Sequence, residues 1–138
     1  MQATEPEGWD GPAPGTACPD APIVTADGRA SWLLNHLGGA FTLLCFVDGE
    51  AQIQALLRSG LGSETRIVVV ADSPMAAERV LLDRDGLARA RYAAEPGTTY
   101  LIRPDQHVAA RFRRLDAEEI RTALARAGGD ASVVRSAA

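Results

Sequence analysis

The sequence predicts an α/β fold, and three stretches carry the prediction. Residues 41–47 (Phe-Thr-Leu-Leu-Cys-Phe-Val) and residues 66–71, with their Ile-Val-Val-Val, are continuous apolar runs of strand length. Such runs are expected of strands buried on both faces. One helix-like segment separates them, which makes a βαβ unit with parallel pairing and a right-handed crossover. Residues 99–103 and 108–113 then flank Pro104-Asp105 as a hairpin, and residues 116–127 read as an amphipathic helix. The expected order is a βαβ half followed by a ββα half, building one mixed sheet.

Taken in order, residues 1–17 are rich in Pro and Gly and lack hydrophobic periodicity, so they read as a linker or N-terminal arm. Trp9 is the exception: a lone aromatic there either pins the arm to a surface or stands in solvent. Residues 18–129 read as the domain. Ile23 and Val24 lead through the Asp27-Gly28 turn to a short helix carrying Trp32, Leu33, Leu34 and Leu37, with Ser31 as its cap and Gly38-Gly39 as its stop. Asp48 is placed to cap the crossover helix, whose apolar positions are Ile53, Leu56 and Leu57 and whose end is Gly60 and Gly62. Residues 73–82 fit neither template. Asp83-Arg84-Asp85-Gly86 is a turn, and residues 87–92 are a helical turn.

In the hairpin, Pro104 fixes φ for the first central position and Asp105 suits the second. Gln106 falls where a left-handed residue is wanted, at a cost of about 1 kcal/mol for its β-carbon. Strict alternation puts Val108, Ala110 and Phe112 on one face and Ala109, Arg111 and Arg113 on the other. In the last helix Asp116 and Glu119 form a capping box and Leu115 and Ile120 a hydrophobic staple. Ile120, Ala123, Leu124 and Ala127 share the apolar face, Arg126 suits the last turn, and Gly128-Gly129 is the expected stop. Residues 130–138 should fray.

Composition narrows function. The 138 residues suit one domain, with 46% hydrophobic and 23% charged residues. No apolar run reaches the roughly 20 residues that span a bilayer, the first 20 residues do not resemble a signal peptide, and two cysteines make no disulfide framework. A cytoplasmic protein is expected. A net charge of −4 argues against general nucleic-acid binding. All 14 basic residues are Arg, so no phosphate-loop lysine, Schiff base or lysine general base is available, and a GC-rich genome accounts for the bias.

Candidate chemistry is sparse. Cys45 lies inside an apolar run, where a thiol packs as a small hydrophobe; Cys18 precedes a proline near the arm, without a basic group to activate it. His36 and His107 lack metal-ligand spacing, and Asp83-x-Asp85-Gly86 lacks the acid that would complete a calcium loop, because Ala94 holds that position. Gly60-Leu61-Gly62 follows a helix, the reverse of a dinucleotide fingerprint. Arg89, Arg91, Arg103, Arg111, Arg113 and Arg114 gather around the hairpin. They are either a solvated face or a docking surface for an acidic partner, with Arg103, Arg111, Arg113 and Arg114 the residues at such an interface.

Five stretches carry a family resemblance: Pro19-Asp20-Ala21-Pro22, Leu33-Leu34, Gly39-x-Phe41-Thr42-Leu43-Leu44, Arg91-Tyr92 and, above all, Pro96-Gly97-x-x-Tyr100-Leu101-x-Arg103-Pro104-Asp105-x-x-Val108-Ala109-x-Arg111. They resemble the C-terminal domain of FAD-dependent aromatic-ring hydroxylases, the class A flavoprotein monooxygenases that include phenol, hydroxyphenylpropionate and aromatic polyketide hydroxylases. The resemblance covers residues 15–128, and Gln106 departs from the Gly usual in that hairpin. It implies a thioredoxin-like fold without the Cys-x-x-Cys motif. It also implies an accessory, non-catalytic role in oligomer or interdomain contacts, with the flavin-binding part or a second copy of the domain as partner. FAD and NAD(P)H would belong to the parent enzyme, so no catalytic, cofactor-binding or metal residue carries over. At the position of the thioredoxin thiols stands Asp48-Gly49-Glu50-Ala51-Gln52-Ile53. The competing expectation is a stand-alone thiol oxidoreductase of thioredoxin or peroxiredoxin type using Cys18 or Cys45; a small-ligand binding module is a third, with no pocket signature to support it.

Overall fold

The computed structural model describes residues 9–73 and 80–137; residues 1–8 of the expected arm and 74–79 of the ambiguous stretch lie outside them. A seven-stranded mixed sheet forms the centre, in the order β2-β1-β5-β4-β3-β6-β7. Its strands are β1 (Pro22–Val24), β2 (Ala30–Trp32), β3 (Thr42–Val47), β4 (Arg66–Ala71), β5 (Val80–Leu82), β6 (Thr99–Ile102) and β7 (Val108–Phe112). The helices are α1 (Glu50–Ser59), α2 (Leu87–Tyr92) and α3 (Ala117–Ala137). β3 and β4 pair in parallel through α1, from Thr42↔Arg66 to Val47↔Ala71, while β3–β6 and β6–β7 are antiparallel. The βαβ and ββα halves are therefore both present, joined along β3.

Alternation along the central strands sorts the core into two layers. Leu44, Phe46, Val68, Val70, Tyr100 and Ile102 point to one face, which is covered by residues 9–37 and α2. Leu43, Cys45, Val47, Val69 and Leu101 point to the other, where Ile53 and Leu56 of α1 and Ile120 of α3 cover them. Every residue of β3 is buried, the signature its unbroken apolar run predicted. Two further strands, β2 and β5, were not foreseen. Each has three residues, too few for a periodicity to be read.

Several local expectations are corrected. The N-cap of α1 is Gly49, not Asp48, and the Gln52 side chain reaches back to accept from the amides of Asp48 and Gly49 at 2.7 and 3.2 Å. Leu57 is 69% exposed and belongs to no core face; Ile53 and Leu56 alone anchor the helix. Residues 33–36 form the short 3-10 turn, but Ser31 and Trp32 lie in β2. Its first amides are met from a distance: Asp20 Oδ1 accepts from Leu34 N at 2.9 Å. The Asp83 turn does more than reverse the chain. Its buried carboxylate accepts the Ala88 and Arg89 amides at 3.0 Å each and pairs with the Arg89 guanidinium at 3.4 Å, so it caps α2.

Asp116 does cap α3, accepting Glu119 N at 3.0 Å, and Leu115, Ile120, Ala123, Leu124 and Ala127 pack on the second layer. The helix continues to Ala137, through Gly128-Gly129. Glycine costs a helix interior only about 1 kcal/mol and does not by itself reverse the chain.

The largest correction concerns β7. Its register against β6 shifts between Leu101 and Ile102, so Ile102 opposes Val108 while Leu101 opposes Ala110. Ala109 is the extra residue of a β-bulge, which breaks strict alternation. Val108 therefore faces the first layer, whereas Ala109, Ala110 and Phe112 face the second.

Candidate functional site

The hairpin that concentrates the arginines is built around its imperfect turn. Gln106 has φ 65°, the left-handed conformation its position demanded. Its Nε2 donates to the Leu34 and Leu37 carbonyls at 2.8 and 3.0 Å, closing the end of the 3-10 turn. A glycine could not make those bonds. Beside it, Arg103 pairs with Asp105 at 2.5 Å, with both side chains about half exposed.

The outer edge of β7 is not free. Gly15 N donates to Val108 O at 2.7 Å, Val108 N to Thr16 O at 2.9 Å, and Cys18 N to Gln106 O at 2.9 Å. Residues 9–17 are thus a strap along the sheet edge, the arm alternative of the expectation, with Trp9 as the pin. Trp9 is its anchor, only 6% exposed. Its indole meets the Tyr100 ring edge-on at 5.5 Å, and its Nε1 donates to the Tyr92 carbonyl at 3.3 Å. The guanidiniums of Arg111 and Arg113 lie over the indole at 4.7 and 4.2 Å. Arg111 Nη1 also donates to the Gly11 and Pro12 carbonyls at 3.0 and 3.1 Å, and Arg113 Nη1 to Ala93 O at 3.3 Å.

The sequence places Arg111 and Arg113 on a solvated face or a docking surface, yet both are half-buried. They instead hold the strap. Arg103 and Arg114 remain exposed. No local signal announced the clamp, because Trp9 and Arg111 meet only through the tertiary fold. The clue in the sequence was the indole itself, too large and apolar for a solvated linker.

Beneath the strap lies a chain of aromatic rings. Tyr100 OH donates to Tyr92 O at 2.5 Å, and Tyr92 OH donates to Pro19 O at 2.6 Å. Burial pushes the Tyr100 hydroxyl up to about 12 despite nearby Arg111, and moves Tyr92 further in the same direction. Both are structural donors and neither is an acid–base group near neutral pH.

Burial likewise favours the neutral form of both thiols. Cys45 is wholly buried, which pushes it up to about 12, against a smaller opposing contribution from a Thr99 hydrogen bond. Cys18 is buried, and desolvation raises it to about 11. The thiolate is the nucleophile, so neither is poised to attack. The first turn of α1, where this fold can stabilise a thiolate, carries Gly49 and Glu50. Its acidic surroundings also oppose a dinucleotide pyrophosphate, so the residues present do not fit a flavin or nicotinamide phosphate there. Ser31 Oγ lies 3.1 Å from His36 Nε2 in an open groove of about 720 Å³, but among the described residues no carboxylate holds the other ring nitrogen. Among the described residues no cluster of His, Cys, Asp and Glu forms a metal site, and no helix is long and apolar enough to cross a membrane.

Such a fold, with an acidic turn at the position of the redox motif, defines a thioredoxin-like domain. A family model described as aromatic-ring hydroxylase, C-terminal, matches residues 11–131, and the chain belongs to that family. Among solved structures, the flavin-dependent monooxygenase PieE in complex with FAD and substrate is 29% identical, with a TM-score of 0.61 over 82% of this chain and 19% of that one. Aklavinone-11 hydroxylase with FAD and aklavinone is 22% identical, with a TM-score of 0.59 over 78% of this chain and 20% of that one. A thiol peroxidase from Chromobacterium violaceum shares the fold, at 15% identity and a TM-score of 0.69 over 86% of this chain and 89% of that one. The chain thus spans about a fifth of the length of the two flavin enzymes. No curated protein matches it.

Proposed function

We propose that this chain is a non-catalytic accessory domain of an FAD-dependent aromatic hydroxylase, acting through contacts with the flavin-bearing part or with a second copy of itself. The observation that carries the reading is the family match over a fold whose redox position is an acidic turn and whose thiols are both buried. FAD and NAD(P)H belong, on this reading, to the part of the enzyme outside this chain. Two cysteines left as free thiols suit the cytoplasm.

The docking surface is placed on the hairpin side of the domain. Arg103 and Arg114 present exposed guanidiniums to acidic groups on the partner, while Arg111 and Arg113 serve it indirectly by fixing the strap beside them. The test is a two-piece reconstitution with the flavin-bearing part. The isolated chain should purify colourless, and changing Arg103 and Arg114 together to Gln should weaken association without moving thermal unfolding, with the loss shrinking as salt rises. Unaltered association at low salt would remove the hairpin from the interface. Rapid alkylation of either native-state cysteine at pH 8, where a thiol near 11 is only about a thousandth ionised, would favour a thiol enzyme instead.

A further inference from the structure

The two edges of the sheet are finished differently. The strap closes β7, but β2 ends the other side with no strand beyond it among the described residues. Bonds from Leu33 N to Ala21 O and from Thr25 N to Arg29 O flank the β1–β2 ladder. Antiparallel pairs alternate, so Ile23↔Ser31 lies on the inner side of β2, and the amides of Ala30 and Trp32 point away from β1. Ala30 and Trp32 are both exposed, the indole at 51%, and they share one face of the strand. Around them Pro22, Val24, Arg84 and Asp85 line a shallow groove of about 210 Å³.

We infer that β2 is the contact through which a second copy of this domain joins the sheet, strand to strand and antiparallel about Ser31. The inference rests on reading the domain as a contact-making module and gives one of its two partners a place. The strand is self-complementary. With Ser31 on the two-fold axis, Trp32 of each copy lies beside Ala30 of the other, a large apolar residue against a small one. The same register aligns each outward Trp32 amide with the Ala30 carbonyl opposite. The rim charges are balanced within each copy, Asp27 with Arg29 at 3.5 Å and Arg84 next to Asp85, so the edge brings no net charge to the contact although the whole chain is at −4. Among the described residues no backbone group is bonded to the outward amides and carbonyls of β2, which leaves them available to a pairing strand.

The register makes a sharp test. Ser31↔Ser31 would be a pair without backbone bonds between the copies, the kind whose Cα atoms approach to about 4.5 Å, within disulfide reach. Ser31→Cys in the 138-residue chain should give a covalent dimer under mild oxidation, and Arg58→Cys, on an exposed part of α1, should not. In sedimentation velocity over a concentration series, Trp32→Arg should raise the dimer midpoint about tenfold or more. A chain that is monomeric throughout, or a Ser31→Cys chain that cross-links no faster than the Arg58→Cys chain, would overturn the inference. So would a Trp32→Arg chain that loses the flavin-bearing part while self-association is unchanged, an outcome that assigns the edge to that part and leaves the accessory role standing. Loss of association with the flavin-bearing part through Arg103 and Arg114 tests the role separately.

Discussion

The sheet's two edges each carry one of the chain's two tryptophans, and the two have opposite fates. Trp9 sits in a stretch with no periodicity at all and is 6% exposed; Trp32 sits in a regular strand and is 51% exposed. At the β7 edge the indole is enclosed by a tyrosine ring and two guanidiniums, the Gly11 and Pro12 carbonyls next to it accept from the Arg111 side chain, and the backbone of Gly15 and Thr16 is bonded to Val108 at the start of the strand. At the β2 edge it overhangs a shallow groove. Regular secondary structure is therefore a poor guide to which edge is integral to the fold. What decides is whether the neighbouring chain satisfies the edge's backbone groups and covers its apolar atoms.

The largest effect expected from this contrast is at Trp9. Trp9→Ala removes a buried side chain, its ring contact and its two cation–π partners, and large-to-small changes of this kind cost about 3–5 kcal/mol. Thermal unfolding should drop by roughly 10–20 °C for a domain of this size. Limited proteolysis should open residues 10–17 well before the sheet. A protease-resistant strap in that variant would mean the backbone bonds alone hold it.

A smaller effect is expected from the other half of the clamp. Arg111→Gln with Arg113→Gln keeps much of the volume but removes both charges from over the indole, at about 0.5–2 kcal/mol each. The doubly changed domain should unfold earlier, with Trp9 emission shifting toward that of a solvated indole. Unfolding at the parent temperature would return these two arginines to the role of exposed docking charges. Because Gly11 carries the carbonyl that Arg111 holds, and a β-carbon on it would overlap the Tyr100 hydroxyl and the Tyr92 carbonyl oxygen, the strap has no room to shift sideways.

Much of this was legible in the sequence where short-range physics decides. The strands and helix of the βαβ unit, the hairpin and the Asp116 cap each follow from a run, turn or spacing that spans about ten residues. The left-handed Gln106 was legible as a cost, but not its compensation, because the two carbonyls it bonds come from the 3-10 turn some 70 residues earlier. The bulge at Ala109 was hidden because alternation was assumed through a strand whose Val-Ala-Ala run leaves the face undetermined. The clamp was missed for the same reason as the compensation at Gln106. Arg111 and Trp9 find each other only once the sheet has formed, and a Pro/Gly-rich strap looks like a linker until its partner strand is known.

The smallest expected effect completes the comparison. Trp32→Ala makes the same chemical change as Trp9→Ala, but it removes a side chain that is about half in water and lacks the two guanidiniums. Substitutions at exposed positions usually stay within about 0.5 kcal/mol, and the covered half of this indole raises the expectation to about 1 kcal/mol at most. Unfolding must be followed at low protein concentration, because association at the β2 edge would add a concentration-dependent stabilisation to the parent chain alone. Fluorescence keeps the two edges separable. The Trp32→Ala chain reports only the clamped indole, with blue emission that changes late, and the Trp9→Ala chain reports only the solvated one. If Trp32→Ala cost as much as Trp9→Ala in dilute solution, the β2 edge would be part of the folded core and not an open margin. If instead its cost grew with protein concentration, the difference between the edges would be one of partner: the strap covers β7 from within the chain, and β2 waits for a strand from outside it.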